Sequence, residues 1–179
     1  MISYGGKELA SAFRTVRKNT IQVAEDIPES KYGFVAAPEV RSVARMLTHI
    51  AIATQIWEEL HKKRLTTLVG YDFSGFIDRF NAEEAKTRSK SEILELLRTE
   101  GERFAAWMET LTPEFLAEMV TEPDGKTAKS RFERLLGAKE HEMHHRAQLM
   151  LIERQLGIVP HLTRQANDRI AKMRAARAV

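Results

Sequence analysis

The 179-residue sequence contains no cysteine. That absence removes a disulfide framework, thiolate-held metals, cysteine-ligated iron–sulfur clusters and any cysteine nucleophile. A bound metal must then be held by His, Asp or Glu. Proline and glycine are also scarce, at 5 and 9 residues, so low-complexity and collagen-like chains are out. With 43% hydrophobic and 30% charged residues, the composition is that of a folded chain with a core of its own. No apolar stretch approaches the ~20 residues needed to span a bilayer. A strong excess of one charge sign is missing too: 28 Lys+Arg stand against 25 Asp+Glu. That balance gives no electrostatic case for nucleic acid as a partner. The first eight residues, Met1 to Glu8, lack the basic-then-apolar pattern of a secretion signal. The expectation is a cytoplasmic protein with no membrane partner.

What is present is helical periodicity. The prolines (Pro28, Pro38, Pro113, Pro123, Pro160) separate long segments with apolar residues three and four apart. This spacing predicts helices over about 7–26, 39–63, 90–111 and 130–156, and a shorter one over about 164–177. Ser89 with Glu92, and Ser130 with Glu133, form capping boxes at two of the starts. Gly157 suits the position just past a helix end. Thr112-Pro113 opens a short helical turn, and Pro123-Asp124-Gly125 signals a turn that a hairpin over 120–129 would use. Residues 65–82, with Val69, Tyr71, Phe73, Phe76, Ile77 and Phe80, are too apolar for a solvated linker and are expected to pack across the helices. The fold class is all-α: one four-helix bundle domain over the whole chain, core about 7–157, with an extra C-terminal helix.

The six histidines are unevenly placed: His49, His61, His141, His144, His145 and His161. His141 and His145 are one helical turn apart and project from one face, which is how a helix offers two imidazoles to one metal ion. Stepping about 100° per residue puts Lys139, Glu142, Arg146 and Glu153 in one wedge, read as the solvent face. Leu151, His144, Gln148 and His141 lie opposite, with His145 just beyond. On the second helix, His49 falls with Met46, Ala53, Ile56 and Leu60, away from Thr48, Gln55, Glu58, Glu59 and Lys62. Three inward imidazoles satisfy one another poorly, and a shared metal satisfies them well. His49, His141 and His145 are therefore the candidate metal ligands. A lone inward histidine is more often a hydrogen-bonded core residue, so the case rests on the three together. The parts played by His144, Gln148, Glu140 and Arg146 stay open. His61 and His161 read as surface or helix-end residues, Trp57 and Trp107 as core, and the C-terminal run Arg164, Arg169, Lys172, Arg174, Arg177 as a solvated face. No Asp or Glu stands out as a fourth ligand.

Two stretches resemble the DinB superfamily, the DinB/YfiT-like metalloenzymes. The segment from Arg41 to Ala51, with Leu47-Thr48-His49-Ile50-Ala51, is similar to that family's LxHIA segment, and His141-x-x-x-His145-Arg146-x-Gln148-Leu149 to its HxxHHRGQL segment. Pro123-Asp124-Gly125-Lys126-Thr127 matches the turn before the last bundle helix. The resemblance covers roughly 7–157 and departs at Ala147, where the family often has Gly. It implies a four-helix bundle with a divalent metal on His49, His141 and His145, zinc or nickel foremost, with iron also compatible. It further implies homodimers, and reactions such as thiol-dependent S-transfer, isomerisation or hydrolysis on small-molecule substrates. Three His ligands leave a position open, as in catalytic sites. Such an ion can activate water or a thiol, and without cysteine any thiol must come from a low-molecular-weight cosubstrate. The competing expectation is a non-catalytic dimeric bundle that binds ligands or partners.

Overall fold

The computed structural model describes residues 4–177. Its elements run α1 (Gly6–Asp26), a single 3-10 turn (Glu29–Lys31), α2 (Val43–Lys62), α3 (Phe73–Glu84), α4 (Lys90–Glu109), α5 (Pro113–Ala117), β1 (Met119–Thr121), β2 (Ala128–Ser130), α6 (Arg131–Gln155) and α7 (His161–Arg177). The expected all-α four-helix bundle with an additional C-terminal helix is what forms. Its only sheet among the described residues is the small antiparallel hairpin β1–β2, which pairs Val120 with Lys129.

Local chemistry sets the helix starts. Ser89 and Ser130 accept from the N–H of Glu92 and Glu133, and those glutamates bond back, so both expected capping boxes are made. The second helix begins four residues later than the spacing predicts. Ser42 caps it, its side chain accepting from the Arg45 N–H. Gly157 ends α6 at φ 78, a left-handed conformation suited to glycine.

α1 and α2 each pack on both α4 and α6 rather than mainly on each other. α1 and α2 therefore sit diagonally, as do α4 and α6, and the 27–42 connection crosses the end of the bundle. One core cluster joins Val23, Ile27, Leu47, Ile50, Ile93, Leu97, Leu149 and Ile152; another joins Leu9, Phe13, Phe104, Met108, Leu135 and Ala138. Arg17 holds a polar tie among all four helices. Its Nε donates to both oxygens of Glu142 on α6 at 3.0 and 3.1 Å, Nη1 to the Leu97 carbonyl of α4, and Nη2 to the Ile50 carbonyl of α2. Gly101 makes room for it, because a Cβ there would stand 2.8 Å from Arg17 Cγ.

That tie corrects the expected facing of α6. Glu142 and Glu153, placed on the solvent face by their charge, are buried, and Arg146 is half-buried, while Leu151 is 59% exposed. The true inward face follows Arg131, Leu135, Ala138, Glu142, Leu149 and Ile152, a three-four stripe interrupted by a charge that Arg17 satisfies. On α2, Thr48 and Glu58 are also buried, against expectation. Glu58 is met there by Arg103 of α4, while α3 packs on α2 beside His49, Ala53 and Trp57. The segment 65–82 does pack across the helices, as Leu68 and Phe76 are buried, although Val69 and Ile77 stay exposed.

Candidate metal centre

His49 sits in the second turn of α2; His141 and His145 are one turn apart in the middle of α6. The packing of α2 on α6 brings the three imidazoles to one point. His49 Nε2 lies 3.0 Å from His141 Nε2, and His145 Nε2 lies 3.2 Å from the same atom. One nitrogen from each ring falls within 4.8 Å of the other two. Because the inward direction of α6 runs through Glu142 and Leu149, the two histidines flank the core rather than point into it. They are half-buried and reachable from outside.

Two of the three opposite ring nitrogens are held, those of His49 and His145. His49 Nδ1 is 2.6 Å from Glu84 Oε1, and Glu84 is buried at 2% exposure as the last residue of α3. Arg41 Nε donates to Glu84 Oε2 at 2.7 Å. Burial works to raise the Glu84 carboxyl, but hydrogen bonds from His49 and Arg41 outweigh it and hold the group at about 2. The carboxylate thus fixes a proton on His49 Nδ1 and leaves Nε2 as a lone pair. His145 Nδ1 is 2.9 Å from Gln148 Oε1, which does the same for that ring. The Gln148 amide nitrogen in turn lies 3.3 Å from Nε2 of the exposed His144. His144 and Gln148 thus support His145 from the rim.

The donor set fits a borderline divalent metal. Three imidazole Nε2 atoms, two of them on rings whose Nδ1 is held by a partner, make a donor set usual around zinc and similar ions. At a metal–nitrogen distance of about 2.0–2.1 Å, tetrahedral ligands stand about 3.3–3.4 Å apart. The two short separations come within a few tenths of that. Without an ion, three lone pairs would face one another in a partly desolvated corner. Burial, with the neighbouring His49 and His145, lowers His141 to about 3, and burial lowers His145 as well. Both rings are thus kept neutral and ready to ligate. Arg41, a third exposed, borders both cavities that reach the histidines.

Other expected residues end up elsewhere. His61 is not a surface residue: it is 1% exposed, its Nδ1 is 3.2 Å from Arg131 Nη1, and burial beside Arg131 and Arg134 lowers it to about 3. His161 starts α7 but is buried, with Nε2 3.2 Å from Asn19 Oδ1. Neither lies in the cluster. Glu140 is exposed, and Arg146 donates to the Val16 carbonyl, away from the imidazoles. Trp107 packs at the core as expected. Trp57 does so too, but its ring is also 5.5 Å from that of His141. Glu84 and Arg41 carry the support of His49, and neither was assigned a role from sequence. The one signal for α3 was its apolar spacing at Phe73, Phe76, Ile77 and Phe80.

Fold and site define a class: a four-helix bundle with three histidines, from two of its helices, gathered at one point. The chain belongs to the DinB superfamily, whose family model matches residues 12–149. It is similar in structure to a DinB-like protein (YjoA) from Bacillus subtilis, with 22% identity and a TM-score of 0.62, over 84% of this chain and 92% of that one. It is also similar to YfiT from Bacillus subtilis, a probable metal-dependent hydrolase with an unusual four-helix bundle topology, at 19% identity and TM-score 0.68, over 88% and 91%. An uncharacterised protein from Clostridium difficile 630 matches at 14% identity and TM-score 0.65, over 86% and 98%. No curated protein matches the chain.

Proposed function

We propose that the protein is a divalent-metal-dependent enzyme acting on small molecules, with His49, His141 and His145 as ligands and zinc or nickel, or else iron, as the ion. The observation that carries this is the convergence of three Nε2 atoms, two of them backed by pinned Nδ1 positions. A bound divalent ion would supply Lewis acidity and lower the pKa of a water or thiol at its open position. The chain's own residues do the rest. Glu84 orients His49 and keeps its proton on Nδ1, and Gln148 does so for His145. The apolar walls beside the histidines limit water, which strengthens every electrostatic interaction at the centre. Arg41, anchored by Glu84, offers its remaining N–H groups to an anionic part of a substrate.

The reaction fitting this is hydrolysis, or transfer of a small-molecule thiol to an electrophile. The first is in keeping with YfiT; the second makes use of a chain that has no thiol of its own. We take the working unit to be a homodimer acting in the cytoplasm; the exposed Ile170 and Met173 on α7 bear on the pairing alone. The test is turnover of aryl esters, and of electrophiles with low-molecular-weight thiols, by zinc- or nickel-loaded protein. Activity abolished by a chelator and restored by the metal is expected. Metal-loaded protein that turns over none of them, or turnover insensitive to chelation, would contradict the reading.

A further inference from the structure

Two cavities border the histidines, and their linings differ. One, of about 300 Å³, is reached by His145 and Gln148 and has Leu151 and Gln155 at its edge. The other, of about 310 Å³, lies between α3 and the α2–α6 surface and is bordered by His49 and His141. The second is built mainly from aromatic carbon: Trp57, Phe73, Phe76 and Phe80, with Ile77.

The origin of this cavity is visible in the sequence of α3. Phe73, Phe76, Ile77 and Phe80 make a three-four stripe, the pattern of a helix that buries one face. Here that face does not close on α2. Only Phe76 is fully buried; Phe73 and Phe80 are half-buried, and Ile77 is 54% exposed. Opposite them α2 presents Ala53, one turn beyond His49, and a small residue there leaves the space open. An apolar cavity of about 150 Å³ takes one benzene ring, so this one has room for a ring together with the group that joins it to the reacting atoms. The edge next to the ring site is formed by the imidazoles of His49 and His141. The helix supplying the aromatic walls ends in Glu84, the residue that holds His49.

We propose that this cavity receives an aryl group of the substrate, so that the enzyme acts on small molecules whose aromatic ring sits between α3 and Ala53 and whose reacting group meets the His49–His141 edge. This rests on the three-histidine metal reading.

The test uses full-length protein loaded with cobalt(II), titrated separately with benzohydroxamate and acetohydroxamate and followed by visible absorption. These ligands share a metal-binding head and differ by the ring. Benzohydroxamate is expected to bind roughly tenfold to a hundredfold more tightly, the gain from burying one ring. Ile77→Glu, at an exposed position, and Phe80→Ala, at a half-buried one, each checked for retained helicity, should each remove most of that preference and leave acetohydroxamate binding unchanged. Leu151→Glu, in the other cavity, should leave the preference intact. Equal affinities for the two ligands in the wild type would overturn the proposal. So would a preference that survives both α3 variants, or one lost in Leu151→Glu instead. If cobalt gives no histidine-dependent spectrum, the metal reading fails by itself. Tryptophan quenching of the metal-free protein by naphthalenesulfonate then decides the cavity. Saturable quenching weakened by Ile77→Glu and Phe80→Ala upholds it, and quenching indifferent to them overturns it.

Discussion

Glu84 is the residue on which the histidine cluster most depends outside the imidazoles themselves. It is buried, ionised, and bonded at 2.6 Å to His49 and 2.7 Å to Arg41. Removing such a partner from a metal-bound histidine typically costs tenfold to a hundredfold in metal affinity. Glu84→Gln is therefore expected to weaken zinc binding by about tenfold or more in competition with a chromophoric chelator, with the fold intact by circular dichroism. Unchanged affinity would mean that the contact does not orient the ring. The histidines were legible in the sequence because two of them share a helical turn and the third falls beside apolar neighbours on its own helix. Glu84 was not legible. It is 35 residues from His49, on a helix whose position over α2 no local pattern encodes.

At the level of elements, α6 shows where helical periodicity misleads. Charge would mark Glu142 and Glu153 as its wet side, yet both are buried. Arg17 crosses from α1 to satisfy Glu142 and in the same stroke ties down carbonyls on α2 and α4. The starts of α4 and α6 could be read from Ser89, Glu92, Ser130 and Glu133, since those bonds are local. Helix facing depends on counter-charges from elements distant in sequence, so a single-helix wheel misplaced it. The tie yields a firm expectation: breaking a buried pair leaves an uncompensated charge and costs about 3–5 kcal/mol. Glu142→Gln should therefore lower stability by about that much in urea unfolding. A loss below about 1 kcal/mol would show that the pair is not buried as described. Such a variant would also loosen the α2–α6 contact that brings His49 to His141, so it is expected to lose metal as it loses stability.

For the whole molecule, the buried ionisable groups predict how stability changes with pH. Glu153 is fully buried, both of its oxygens lack a hydrogen-bond partner among the described residues, and Asp26, Arg154 and Arg164 stand nearby. Burial, with Asp26, raises it to about 7 from an ordinary 4.5. The folded state therefore holds this proton more tightly than the unfolded chain. Its favourable contribution is complete below about pH 4.5 and is lost as pH rises toward 7, a change of about 3 kcal/mol. The lowered histidines His61, His141 and His161 act in the other direction, withdrawing stability as pH falls below about 6.5. Comparing Glu153→Gln with the wild type isolates the first effect. The variant is expected to gain relative stability steadily from pH 5 to pH 8 in thermal unfolding, and a constant difference would refute the assignment. The bundle's class was legible from the spacing of apolar residues and prolines. Its diagonal connectivity was not, because nothing local in 27–42 states which helix the chain will meet next. No described helix is long and apolar enough to cross a membrane.

The central claim is that three imidazoles from α2 and α6 hold one divalent ion. It is tested most directly by elemental analysis of the purified wild type beside His49→Ala, His141→Ala and His145→Ala, each checked for retained helicity. The account predicts close to one zinc, nickel or iron per wild-type chain and a near-complete loss in all three folded variants. Equal trace metal in the wild type and the variants would contradict it, as would full occupancy surviving removal of any one of the three.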